Sequence, residues 1–138
     1  MTDQPAILAF AGSTRADSFN KKMVRIAADG ARNGGAKVTL VDLRDFAMPV
    51  YDGDLEAAEG LPDAAQAFKK LMIANDGFLI AAPEYNSSIS AVLKNTIDWV
   101  SRPVPDEPRL AAFQGKAAVL MSAAAGGFGG VRSLAHVR

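Results

Sequence analysis

Short, wholly apolar runs alternate along the chain with stretches whose apolar positions recur every three or four residues, which predicts strands and helices in turn. Ile7 to Ala11 reads as a first buried strand. A helix is predicted from Ser18 to about Asn33, with Phe19, Met23, Ile26, Ala27 and Gly30 on its inward face and Asn33-Gly34-Gly35 as its stop. Lys37 to Leu43 reads as a second strand, which makes the segment from Ile7 a βαβ unit with a right-handed crossover and parallel pairing. Arg44 to Gly60, with Pro49, Gly53, Gly60 and five acidic residues, reads as an exposed connection free to move.

The alternation continues. Leu61 to Asn75 predicts a second helix with Ala65, Phe68, Leu71 and Met72 inward. Phe78 to Ala82 is apolar throughout, as suits a parallel sheet covered on both faces. A third helix is expected from about Ser88 to Ser101, burying Val92, Leu93, Thr96 and Ile97 with Trp99 or Val100. Pro103, Pro105 and Pro108 make Arg102 to Gln114 a loop, Lys116 to Ser122 a fourth strand, and Val131 to Arg138 the start of a fourth helix. The fold class is therefore α/β, a three-layer sandwich around a doubly wound parallel sheet of order 2-1-3-4.

In such a sheet the loops leaving strands one, three and four emerge at one carboxyl edge, where ligands bind. Those loops, Gly12 to Asn20, Pro83 to Ser90 and Ser122 to Gly130, are the ones of unusual composition. The first has two readings. As a phosphate cradle, it offers free N–H groups at a helix N-terminus, hydroxyls on Ser13, Thr14 and Ser18, the Arg15 guanidinium and the Asn20 amide. As a capping turn, Ser18 caps the helix and Arg15 is a solvated charge. A dinucleotide fingerprint is weak, since Thr14 and Asp17 stand where its second and third glycines belong, although Asp42 could serve as the ribose acid. A P-loop is absent, because no Gly-Lys-Ser/Thr ending follows.

Composition narrows the partners. Fifteen basic and fifteen acidic residues balance in 138, leaving no footprint for nucleic acid or an anionic membrane. A small-molecule partner is expected instead. Without cysteine there is neither thiol catalysis nor a thiolate metal site, and no metal is expected. Met-Thr-Asp-Gln-Pro lacks the pattern of a signal peptide and no apolar run approaches the ~20 residues of a membrane span, so a cytoplasmic protein is expected.

Two motifs resemble those of the NADPH-dependent FMN reductases, which include chromate and quinone reductases, in the flavodoxin-like superfamily. Gly12-Ser13-Thr14-Arg15 with Ser18 and Asn20 is similar to the family's phosphate loop, and Pro83-Glu84-Tyr85-Asn86 with Leu93-Lys94-Asn95 and Asp98-Trp99 is similar to its longer signature. Gly126 to Gly130 resembles the glycine-rich segment beside the flavin. The resemblance implies a flavodoxin-like fold that holds FMN, with Ser13, Arg15, Ser18 and Asn20 on the phosphate and Phe19 beside them. It puts Pro83, Glu84, Tyr85 and Asn86 along the isoalloxazine, with Ser122 and Gly126 closing the other side. Ser90-Ala91 departs from the family's Pro-Gly, and Ala124-Ala125 from its frequent Ser-Pro. The family continues through a fifth strand and a closing helix, so residues 1–138 read as one FMN-binding domain truncated at its C-terminus, or one whose sheet another subunit completes.

The resemblance implies an enzyme that passes a hydride from NADPH or NADH to FMN and then electrons to a quinone, flavin, azo compound or metal oxyanion, working as a homodimer or homotetramer. The chemistry belongs to the flavin, so no catalytic side chain is expected. The alternatives are a flavodoxin-like electron carrier and an inactive FMN-binding fragment. His136 reads as a surface residue, Asp98 and Trp99 as packing or subunit contacts, and Lys94 as a solvated charge or a helix-terminus partner.

Overall fold

The four apolar runs form one parallel sheet. In a computed structural model describing residues 4–138, the chain runs β1 (Ala6–Ala11), α1 (Phe19–Asn33), β2 (Lys37–Leu40), a 3-10 turn (Leu43–Phe46), α2 (Gly53–Glu59), α3 (Asp63–Ile73) and β3 (Gly77–Ala81). It continues through β4 (Glu84–Tyr85), β5 (Ser88–Ile89), α4 (Ala91–Val100), β6 (Ala117–Met121) and α5 (Val131–Val137). Residues 1–3, where the leader pattern was sought, lie outside the described part. The strand order is β2-β1-β3-β6, the predicted 2-1-3-4, and Leu8 pairs in register with Thr39 on one side and Phe78 on the other. β3 is buried along its whole length, whereas Ala117, Ala118 and Val119 of β6 are exposed, because among the described residues β6 pairs only with β3.

Each sheet face has its own core. On one, Ala9, Ala11, Leu79 and Ala81 meet Val24 and Ala28 of α1. On the other, Leu8, Phe10, Phe78 and Ile80 meet Phe68 and Met72 of α3 and Leu93 and Val100 of α4, with Phe10 and Phe68 edge to face at 5.1 Å. The predicted stripe of α3 holds.

The predicted stripe of α1 holds at Ala27, which packs against the core, but not at Phe19, Ile26 or Gly30. Asn20, Lys21, Val24 and Ala28 are its buried residues, while Phe19 is 54% and Ile26 74% exposed. The sheet there is surfaced by alanines, so a close helix approach suits the short side chains of α1 and turns its larger apolar residues to the flank. Phe19, Met23 and Ile26 there border a groove with Ala123, Ala124 and Ala125.

Two further expectations are corrected. The connection from Arg44 to Gly60 is tied down: Leu43 is buried, Phe46 and Met48 pack on the core, and the Pro49 carbonyl accepts from Asn95 Nδ2 at 2.9 Å and Trp99 Nε1 at 2.8 Å. Trp99 is fully buried, edge to face with Tyr51 at 5.0 Å, so its packing role holds. The segment assigned to the start of the third helix instead forms the hairpin β4–β5, pairing Glu84 with Ile89 and Tyr85 with Ser88. Its two-residue turn, Asn86-Ser87, has φ of 50° and 64°, the left-handed conformation that primed hairpin turns need. α4 starts only at Ala91, where the Ser90 side chain caps it by accepting from Leu93 N–H at 3.2 Å.

Candidate functional site

Side chains stitch the three carboxyl-edge loops together. Ser90, 5% exposed, donates its hydroxyl to the Gly12 carbonyl at 2.6 Å and joins the first loop to the second. A side chain at Gly12 would put its Cβ 2.9 Å from Leu93 Cβ, so the glycine is required by close approach to α4 rather than by the turn alone. Asn20 joins the first loop to the third: its Nδ2 donates to the Ala123 carbonyl and its Oδ1 accepts the Ala123 N–H, both at 3.0 Å. Glu84 draws α5 onto the hairpin, its Oε2 accepting the Arg132 and Ser133 N–H groups at 3.0 and 3.2 Å. A carboxylate at a helix N-terminus also complements the helix dipole.

Between the first two loops lies a cleft of about 1000 Å³, walled by Gly12 to Arg15, by Tyr85 and Asn86, by Ser88 to Val92, and by Lys94, Ile97, His136 and Val137. Among the described residues, Arg15 and Lys94 are the charged side chains that line it and no carboxylate does. Lys94 is partnered by Asp98 at 2.6 Å; Arg15 has no ion pair among the described residues. Ser13, 4% exposed, accepts the Arg15 N–H at 3.2 Å and has no acceptor for its own hydroxyl hydrogen among the described residues. The cleft sits where strand order reverses between β1 and β3, the switch point at which doubly wound sheets bind ligands.

Of the predicted residues, the structure brings Ser13, Arg15, Tyr85 and Asn86 together on the cleft wall. Seven others lie behind or beside it. Ser18 caps α1 by accepting the Lys21 N–H at 3.4 Å, the capping reading raised from sequence. The Asn20 amide is spent on Ala123, Phe19 lies on the flank groove, and Pro83 is buried below the hairpin. Glu84 caps α5, the buried Ser122 hydroxyl has no hydrogen-bond partner among the described residues, and Gly126 is exposed on the third loop. Asp42 is held by Lys21 Nζ at 2.6 Å and by the Arg44 N–H at 3.0 Å, which occupies the carboxylate a dinucleotide ribose would need.

Nothing in the sequence marks Ser90 or His136 as part of the site, although His136 is exposed on a helix as its surface reading expects. Serine just before the apolar Val92-Leu93 is a helix-start signal, so Ser90 was legible as a cap, though its bond to Gly12 was not. His136 reaches the cleft because α5 docks on the hairpin, where its Nδ1 lies 2.8 Å from Ser88 Oγ across 48 residues of sequence.

A parallel sheet of this order, helices on both faces and a cleft at the β1/β3 switch point define a flavodoxin-like α/β protein. Its family follows from comparison with known sequences: the chain belongs to the NADPH-dependent FMN reductases, whose family model matches residues 5–138. It is 39% identical to an NAD(P)H-dependent FMN reductase of Pseudomonas aeruginosa, over all of this chain and 70% of the relative. It is 40% identical to a probable NADPH:quinone oxidoreductase of Oryza sativa, over 96% of this chain and 62% of the relative. Among solved structures it resembles the flavoenzyme NAD(P)H:(acceptor) oxidoreductase FerB of Paracoccus denitrificans, with a TM-score of 0.77 and 27% identity over 95% of this chain and 67% of that one. The chain therefore spans 62% to 70% of the length of these relatives. Among the described residues no helix is long and apolar enough to cross a membrane, and no group of three or more His, Asp or Glu side chains is placed to hold a metal ion.

Proposed function

We propose that the chain is an FMN-dependent NAD(P)H oxidoreductase that takes a hydride from NADPH or NADH and delivers electrons to a small acceptor of the quinone, flavin, azo or metal-oxyanion type. The observation that carries this reading is the cleft itself, a cationic pocket without carboxylates at the β1/β3 switch point. Arg15, free of ion pairs among the described residues, and the spare Ser13 hydroxyl suit one phosphate group. Bound FMN supplies hydride acceptance and electron release.

The chain's own residues bind and orient. Ser13 and Arg15 would hold the phosphate, and the hairpin tip at Tyr85 and Asn86 would border the ring. Ser18 and Asn20 would fix the phosphate loop from behind, Pro83 and Glu84 would fix the hairpin, and Ser122 and Gly126 would shape the third loop. The reading extends to a single FMN-binding domain, to the cytoplasm, and to a homodimer or homotetramer. Phe19 and Ile26, exposed together beside one apolar groove, support self-association.

Flavin absorbance of the purified protein, followed by anaerobic NADPH addition, tests the reading. Bound FMN that NADPH bleaches is the expected result, and no bindable FMN would overturn it. Arg15→Ala is expected to weaken FMN by about 10- to 100-fold while riboflavin affinity changes little, as loss of a charged hydrogen bond to phosphate predicts.

A further inference from the structure

We propose that His136, held by Ser88, is the proton donor that completes reduction of a quinone-type acceptor in the cleft, an inference that rests on the oxidoreductase reading above. Reducing a quinone to a hydroquinone takes up a hydride, which brings both electrons and one hydrogen, and one further proton. NAD(P)H supplies the hydride by way of the flavin, and the second proton needs a donor. Four titratable side chains line the cleft: Arg15, Tyr85, Lys94 and His136. Histidine alone among these residue types ordinarily exchanges its proton between pH 5 and 8.

The contact with Ser88 suits that task. In the imidazolium form, Nδ1–H donates to Ser88 Oγ across the 2.8 Å contact and Nε2 carries the proton to be given. When Nε2 releases it, the neutral Nδ1–H tautomer keeps the same bond to Ser88, and in that tautomer the transfer needs no reorientation. His136 is exposed, so water restores the proton.

Other contacts fix the ring's location. Glu84 accepts two N–H groups at the start of α5, and Arg132 Nη1 donates to Ser87 Oγ at 3.1 Å, which pins the helix to the hairpin that carries Ser88. The charged and titratable groups around His136 are Glu84 and Tyr85 on β4, Arg15 on the first loop, Lys94 on α4, Arg132 on its own helix and Arg138 just after it.

The experiment uses FMN-loaded protein reduced anaerobically with NADPH and mixed with p-benzoquinone or with ferricyanide, which accepts an electron without a proton. In His136→Gln the quinone-to-ferricyanide rate ratio is expected to fall about 100-fold at pH 6, the scale of a lost general acid. A second readout needs no turnover. His136 is the only histidine, so its imidazole Hε1 resonance is assigned without ambiguity and is expected to shift when hydroquinone is added to the oxidised holoprotein. An unchanged ratio in the variant, equal losses with both acceptors, or an unmoved resonance would each overturn the proposal. If NADPH fails to bleach the wild-type flavin, the oxidoreductase reading falls and this proposal falls with it. Normal bleaching with an unchanged ratio removes the proposal alone.

Discussion

Ser90 donates its hydroxyl to the Gly12 carbonyl at 2.6 Å while accepting the Leu93 N–H at 3.2 Å, so one buried side chain both starts α4 and holds the first loop. The family's proline at this position could make neither side-chain bond. Ser90→Ala is expected to cost about 1–3 kcal/mol, the loss of a cap plus a carbonyl left unpaired. Urea unfolding measures that cost, and FMN titration of the same variant is expected to show weaker binding.

The clasp on Pro49 separates packing from hydrogen bonding. Trp99→Phe keeps an aromatic ring and leaves Asn95 on the Pro49 carbonyl, so about 0.5–1.5 kcal/mol is expected. Trp99→Ala empties a fully buried site and should cost about 3–5 kcal/mol. Thermal unfolding of the pair distinguishes the two contributions; equal losses would assign the whole effect to the hydrogen bond.

Gly130 has φ of 77°, and an added Cβ would collide with the Ser122 hydroxyl and lie 2.6 Å from Ser122 Cβ. Gly130→Ala is expected to destabilise by about 2 kcal/mol or more through strain and overlap together. Adding Ser122→Ala should restore only part of this, because the Cβ overlap and the backbone conformation remain. Full restoration in the double variant would place the whole effect on the hydroxyl.

Acid stability depends on Asp42. Burial alone would raise its carboxyl, but the Lys21 hydrogen bond, the Arg44 N–H and the two cationic charges outweigh burial and hold it below the ordinary 3.8. A depressed carboxylate contributes stability that is present above its unfolded value and lost as pH falls through the folded one. Urea midpoints of the wild type should therefore drop below about pH 4, and Asp42→Asn should flatten that part of the profile. Near pH 7 the same variant leaves the buried Lys21 ammonium without its counter-charge, for a loss of about 1–3 kcal/mol.

Much of the fold was legible because buried parallel strands are continuous apolar runs. Ile7 to Ala11 and Phe78 to Ala82 could be read directly and the crossover gave parallel pairing, whereas the strand order came with the flavodoxin-like resemblance. The inward face of α1 was not legible, since Phe19 and Ile26 satisfy helical periodicity as well as Val24 and Ala28 do. Only the alanine surface of the sheet decides between them. On the cleft wall, Ser13 and Arg15 stand in a loop of readable composition, while Tyr85 and Asn86 were singled out through the family resemblance. The Asn20–Ala123 and Ser88–His136 contacts span 103 and 48 residues, and pairings at that distance come from tertiary docking rather than local pattern.

The double bond between Asn20 and Ala123 makes the glycine-rich third loop an extension of the first. Tension applied at one is felt at the other, because a side chain pinned at both its donor and its acceptor cannot follow only one of them. The place of the third loop beside the cleft is therefore set from the first turn of α1, by one amide 103 residues away in sequence, rather than by the glycines of the loop itself.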